Sequence, residues 1–298
     1  VTALIEIRIH GRGGQGAVLA AELLVSGAFE EGKFGQAFPL FGGERRGAPV
    51  QAFVRLDTQP IRVRYRVYEP NYVLVLDRIL PNMVDVLAGL QPEGVVLIDT
   101  TQSPTSLTWS MDAPVYAIPA TAIAKSVFGQ PFVNPAMLGA LAAVSGQISL
   151  RGIQTAFQRH FPGLLGEKNS QAAQMGYDYV AGQSKTPVWV RKTEQKEDSH
   201  PKWGGDSDLG SPGRSLHFGL VVEARTSLAY PTGTWRYTRP VVYTTKCNGC
   251  GLCVTFCPDS SVGIVDQQAV VNYSYCKGCG ICARICARKA IGMVAEEE

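Results

Sequence analysis

A chain of 298 residues, 45% hydrophobic and 18% charged, is long enough for one large domain or two modest ones with real cores, which excludes a chain that is disordered as a whole. The net charge of +3 is unevenly placed: residues 1–183 hold 14 Lys and Arg against 14 Asp and Glu, 184–240 hold 9 against 6, and 241–298 hold 5 against 5. Neither end gathers the basic, aromatic-laced face of a nucleic-acid binder, and no run approaches the ~20 apolar residues of a membrane span, so neither nucleic acid nor a membrane is expected as a partner.

The opening stretch VTALIEIRIHGRGG carries Glu6 and Arg8 inside its apolar part, which suits neither a signal peptide nor an anchor; a cytoplasmic protein is expected. From there to residue 183, β-branched runs alternate with helical patterns. Strands are predicted at 4–9, 50–56, 61–67, 72–77, 94–99 and 115–119, and helices at 16–30, 80–89, 120–128, 135–148, 151–160 and 168–181. Such alternation predicts an α/β domain built on an open, mostly parallel sheet.

Its first strand leads into a glycine-rich turn, Gly11, Gly13, Gly14 and Gly16, and then into a helix. Gly11, Gly13 and Gly16 satisfy G-x-G-x-x-G, and amides at a helix N-terminus can cradle a phosphate. A dinucleotide site also needs a second strand ending in an acid about 20 residues on. Here Glu30 and Glu31 close the helix and the continuation, GKFGQAFPLFGGERRGAP, does not read as a strand, so an NAD or FAD site is the weaker reading. No Walker lysine follows the glycines.

Arg45 and Arg46, set between glycines, make a donor fork for a carboxylate or phosphate, with a solvated loop or subunit contact as the competing reading. Arg62, Arg64 and Arg66 alternate with apolar residues and would share one strand face, without defining a site. Asp77 and Asp99 read as ordinary strand-end residues, and the four histidines are scattered.

Residues 184–240 change character: polar, rich in Gly, Pro and Ser, and without a sustained period, they read as a linker. Trp189, Trp203, Tyr230, Trp235 and Tyr237 are many aromatics for a free tether, so parts are expected to dock on another surface, with a plain spacer as the alternative.

From residue 241 the chain repeats itself with a 29-residue offset, and all eight cysteines of the protein lie in this part. Each copy has the spacing C-x2-C-x2-C-x3-C: Cys247, Cys250, Cys253, Cys257, then Cys276, Cys279, Cys282, Cys286. Thiolates at every third residue wrap three corners of a cubane, while the fourth cysteine reaches the other copy's cluster. Residues 247, 250 and 253 with 286, and 276, 279 and 282 with 257, are thus expected to hold two 4Fe-4S clusters in a small, bacterial-type di-cluster ferredoxin domain of α+β class. Structural zinc pairs two distant CxxC units and fits the third step poorly, and disulfides suit a secreted protein. Gly249, Gly251, Gly278 and Gly280 supply the positive φ of a tight cluster loop; Pro258 after Cys257 is matched by Ala287 after Cys286.

GRGGQGAVLAAELL with GKFGQAFPLFGGERRGAPVQAFVRL resembles the gamma subunit of the 2-oxoacid:ferredoxin oxidoreductases, the pyruvate:ferredoxin oxidoreductase group. SLAYPTGTWRYTRPVV, KCNGCGLCVTFCPD and YCKGCGICARICARKAI resemble their delta, ferredoxin-like subunit, fused behind gamma in this order. The resemblance implies an electron-transfer and scaffold subunit. Thiamine diphosphate and Mg2+ would sit on catalytic partner subunits, since no GDG…N stretch is present here, and ferredoxin would accept the electrons. It also implies that the gamma part flanks the thiamine site and, in members that make acyl-CoA, helps hold coenzyme A, with the Gly11 to Gly16 loop and Arg45 and Arg46 as candidate contacts. The substrate would be a pyruvate-like 2-oxoacid, or oxalate, which the fused layout brings to mind. A self-contained NAD(P)- or flavin-linked iron-sulfur reductase and an assembly protein with structural clusters are the alternatives.

Overall fold

The computed structural model describes residues 4–40, 47–182, 186–193 and 231–296, and divides into two compact units, Val1–Thr193 and Glu194–Glu298. In the first unit β1 (Ile5–Arg12) turns into α1 (Ala17–Glu30), followed by β2 (Phe34–Leu40), β3 (Pro49–Asp57), β4 (Tyr72–Val75), β5 (Val95–Asp99) and β6 (Ala113–Ile118). Four helices follow, α2 (Ala120–Phe128), α3 (Asn134–Ser145), α4 (Leu150–His160) and α5 (Leu164–Ala181), and then β7 (Val188–Val190). The strands form one sheet in the order β2-β3-β1-β4-β5-β6-β7. Only β3 and β7 run against the rest, so this is a mostly parallel mixed sheet.

Burial explains the sequence patterns. β4 and β5 are continuously apolar because both faces are covered: Leu74 and Leu97 join the core under the helices, while Val73, Val75, Val96 and Ile98 pack on Leu80, Val86, Leu87 and Trp109 from the connections on the other side. β1 alternates instead. Ile7 and Ile9 enter the helix-side core, and Arg8, His10 and Arg12 point to the opposite face yet are still buried. α3 is apolar all round because it lies inside the helix layer. It touches α5 backbone to backbone: a Cβ on Gly139 would come within 1.9 Å of the Ala173 carbonyl oxygen, and one on Gly176 within 2.0 Å of that of Ala136.

Three expectations fail. Residues 34–40, read as no strand, form β2; Gly35 and Pro39 hid it, but an edge strand tolerates proline, and Gly35 lets Val25 of α1 approach to 2.9 Å of where a Cβ would stand. Residues 61–67, read as a strand, form none: both sides of β3 and of β1 are taken, and the segment does not add to the outer edge of β2. The segment lies over the sheet, with Tyr65 4.8 Å from the Arg55 guanidinium and Gln36 donating to the Ile61 carbonyl at 3.3 Å. Residues 80–89, read as a helix, make only a 3-10 turn at Leu80–Asn82 around Pro81, after which Asp85 caps the Leu87 amide.

In the second unit β8 (Thr238–Val242) pairs with β11 (Ile291–Ala295), and β9 (Val262–Val265) with β10 (Gln268–Val271); α6 (Leu252–Thr255) and α7 (Ile281–Ile285) are single turns of helix. Its buried core is small: Cys253, Cys282, Val262, Ala269 and Ile291. Among the described residues no helix is long and apolar enough to cross a membrane.

Candidate functional site

The cysteine loops are shaped by glycine. Gly249 and Gly278 have φ of 67° and 66°, and Gly251 and Gly280, which begin α6 and α7, both have φ of 78°. These left-handed residues fold each loop back so that its cysteines face inward. Cys247, Cys250 and Cys253 line one concavity together with Cys286 from the other copy; Cys276, Cys279 and Cys282 line a second together with Cys257. Backbone amides point at the sulfurs: Ser261 donates to Cys257 Sγ at 3.2 Å, Ala290 to Cys286 Sγ at 3.2 Å and Ala269 to Cys247 Sγ at 3.4 Å.

Burial pushes the thiols of Cys253 and Cys276 up, and that of Cys282 up to about 11. Protein alone therefore disfavours thiolates here, and the positive charge of bound metal is what would ionise them. Among the described residues no three His, Cys, Asp or Glu side chains converge on a single point as they would for one ion. A cubane cluster takes its thiolates at separated corners, and sulfurs round the wall of a concavity are of the donor type it needs.

The glycine turn of the first unit is built differently. Gly14 and Gly16 have φ of 97° and 78°, and Gly16 leads into α1. A Cβ on Gly16 would come within 2.5 Å of Asn134 Nδ2, which donates to the Gly16 carbonyl, so the starts of α1 and α3 meet. The Arg12 amide donates to Gln15 Oε1, the Gly13 amide to the Ala48 carbonyl and the Gly47 amide to the Gly13 carbonyl, extending the β1–β3 ladder into the turn. Arg45 and Arg46 lie outside the described residues, but Gly47 directly after them is thus bonded to the glycine turn.

Sequence reasoning passed over Asp77. Its carboxylate, just past β4, takes an ion pair from Arg12 Nε at 2.8 Å and a bond from Gln15 Nε2 at 3.1 Å, both side chains of the glycine turn. The available signal was its place at the carboxyl end of the strand beside β1, where open α/β sheets put ligands. Asp99 accepts from the Thr121 amide at 2.9 Å and its hydroxyl at 2.5 Å at the start of α2, and burial raises its pKa. The dinucleotide reading loses its framework for a reason the sequence did not reveal: the place beside β1 that a second parallel strand would need is filled by antiparallel β3.

Residues 6–179 match the family model described as pyruvate ferredoxin/flavodoxin oxidoreductase, and residues 239–287 the model described as 4Fe-4S dicluster domain. The chain is 52% identical over 175 residues to pyruvate synthase subunit PorC of Methanothermobacter marburgensis, covering 59% of this chain and 97% of that one. It is 48% identical over 178 residues to the pyruvate/ketoisovalerate oxidoreductases common subunit gamma of Thermococcus kodakarensis, covering 59% and 96%. The crystal structure of pyruvate oxidoreductase subunit PORC from Thermotoga maritima is similar at 34% identity and a TM-score of 0.50, over 59% of this chain and 96% of that chain. A 2-oxoglutarate:ferredoxin oxidoreductase from Magnetococcus marinus shares the fold at 13% identity and a TM-score of 0.50, over 86% of this chain and 37% of its own.

Proposed function

Since the chain belongs to the pyruvate ferredoxin/flavodoxin oxidoreductase family and joins a 4Fe-4S dicluster domain to that fold, we propose that it is the electron-transfer and scaffold subunit of a thiamine diphosphate-dependent complex. It is a subunit of an oxidoreductase. In this reading Cys247, Cys250, Cys253 and Cys286 hold one 4Fe-4S cluster and Cys276, Cys279, Cys282 and Cys257 the other. The observation that carries it is the pair of concavities, each lined by three cysteines of one copy and one of the other. When bound, the clusters supply one-electron chemistry; the chain's own part is to hold them with thiolates, shape their loops with left-handed glycines and direct amides at their sulfurs.

Residues 1–183 serve as the gamma-like domain, which β7 from the start of the 184–240 linker and docking segment joins, and 241–298 as the ferredoxin-like domain, which β8 from its end joins. Thiamine diphosphate and Mg2+ belong to the catalytic partner subunits, ferredoxin takes the electrons, and the complex works in the cytoplasm. The glycine turn Gly11, Gly13, Gly14 and Gly16, with Arg45 and Arg46, is the candidate contact for the anionic part of coenzyme A. Against a phosphate there stands the Asp77 carboxylate, but Arg12 and Gln15 already hold it, which supports a turn whose own charge is balanced. The substrate is a pyruvate-like 2-oxoacid.

Purification of the chain from its native source tests this. Thiamine diphosphate-binding polypeptides are expected to accompany it, and cluster reduction by pyruvate is expected only with them present. Turnover by the isolated chain, or cluster bleaching by NAD(P)H, would favour the stand-alone reductase; reduction by oxalate in place of pyruvate would change the substrate and keep the role.

A further inference from the structure

The duplication allows the surroundings of the two cysteine groups to be compared position by position, 29 residues apart. Backbone contributions match: Ser261 and Ala290 are counterparts, and each donates to the crossed cysteine at 3.2 Å. Ser260 and Lys289, also counterparts, share a left-handed φ of 49° and 48°. Side chains do not match. Next to the ligands Cys247 and Cys286 stand Lys246, Asn248, Arg288 and Lys289; their counterparts, next to Cys276 and Cys257, are Tyr275, Lys277, Asp259 and Ser260.

Arg288 lines the first concavity, and it, Lys246 and Lys289 are exposed with no carboxylate partner among the described residues. At the second concavity two of the three nearby cations are paired; the third, Arg239, precedes Pro240 of its wall and stands over the Tyr273 ring with its Nε unpartnered among the described residues. Lys277 and Asp259 both line it and meet at 2.5 Å, each largely buried. Arg236, which donates to the Cys276 carbonyl at 3.2 Å, is clamped by Glu296 through bonds of 2.6 and 2.7 Å. Two other charges do not undo the contrast. Asp266 lies in the turn of the hairpin whose Ile264 and Ala269 line the first concavity, and Arg284 lies in sequence between Cys282 and Cys286, which belong to different groups.

An added electron makes a cluster more negative, so an unpaired cation beside it stabilises the reduced form, whereas a close ion pair contributes little net potential. Resting on the two-cluster reading above, we propose that the cluster held by Cys247, Cys250, Cys253 and Cys286 is the stronger electron acceptor of the two, and that Arg288 is the residue that chiefly sets the gap. An electron arriving on the other cluster then moves to this one: the donor is oxidised by one electron, the acceptor reduced by one, and no proton or third reactant takes part. Lys246 and Lys289 add to the effect, weakened by solvent screening.

The test is a redox titration of the full chain followed by electron paramagnetic resonance, with Arg288→Gln and Asp259→Asn. Two one-electron steps are expected in the parent. Arg288→Gln is expected to lower the upper step alone, making electron transfer to that cluster about tenfold less favourable, ~59 mV for one electron. Asp259→Asn, which frees Lys277, is expected to raise the lower step and narrow the gap. Arg288→Gln leaving both steps in place, or shifting only the lower one, overturns the proposal. Iron analysis on the same samples separates the two levels: iron for fewer than two clusters removes the reading beneath, while two intact clusters with unmoved steps remove only this inference.

Discussion

Gly278 and Gly251 both carry positive φ, but they differ in what surrounds them. A Cβ at Gly278 would stand 2.1 Å from the Thr238 carbonyl oxygen, whereas at Gly251 nothing lies within 4 Å. Left-handed backbone costs a side chain about 1–2 kcal/mol; a collision with β8 adds displacement of the strand that closes the unit. Gly251→Ala is therefore expected to lower stability by about 1 kcal/mol and keep its iron, while Gly278→Ala loses iron as well, as read by iron per chain and a thermal melt. His10 shows a different residue-scale effect. It is buried beside Arg8 and its pKa falls to about 3, burial being the larger cause. The unfolded chain, with a histidine near 6.5, thus takes up a proton that the folded chain refuses. Stability from this group is complete above pH 6.5 and is lost as the pH falls towards 3, about 2 kcal/mol of it by pH 5. Urea midpoints at pH 5 and 7 are expected to differ less in His10→Gln than in the parent; an equal difference in the two would show that His10 titrates normally.

At the scale of elements, legibility followed burial. β4, β5 and β6, apolar on both faces, and α2 to α5 stand close to where the sequence put them, as does the glycine turn between β1 and α1. What misled was pattern without partner: 61–67 has a strand's alternation, but pairing depends on whether the chain runs along an open edge, a property of the whole sheet. β2 was hidden for the opposite reason, since its glycine and proline are permitted by an edge position that local sequence does not disclose. For the site, the cysteines were legible because spacing alone encodes a cluster loop, whereas Asp77 was not, because its partners Arg12 and Gln15 are 65 and 62 residues away and meet it only through β1–β4 pairing. The crossing of α3 and α5 could likewise be inferred only from structure. Gly139→Ala and Gly176→Ala are each expected to destabilise the first unit by about 1–3 kcal/mol, overpacking outweighing the gain in helix propensity. Both press on the same contact, so parting the helices for one makes room for the other, and the double variant should cost less than the sum in denaturant titrations.

On the scale of the whole molecule, the two units depend on different forces. The first has two clusters, together dozens of buried apolar residues, one on each face of its sheet, and is not expected to need a metal to close them. The second buries only seven apolar residues among those described, three of them cysteines whose partners in the reading above are iron atoms. Domains this small seldom hold on apolar burial alone, and binding energy for a cluster is also folding energy. Removing iron with a chelator under reducing conditions is therefore expected to abolish one calorimetric transition and leave the other near its original temperature. Amide exchange should locate the loss: residues 238–295 exchange freely, while β4, β5 and α3 keep their protection. Because the crossed ligands Cys257 and Cys286 tie each copy to the other's concavity, the second unit should lose its protection in one step, with neither copy outlasting the other. Retained protection across 238–295 after complete iron loss would mean that the fold stands without its clusters.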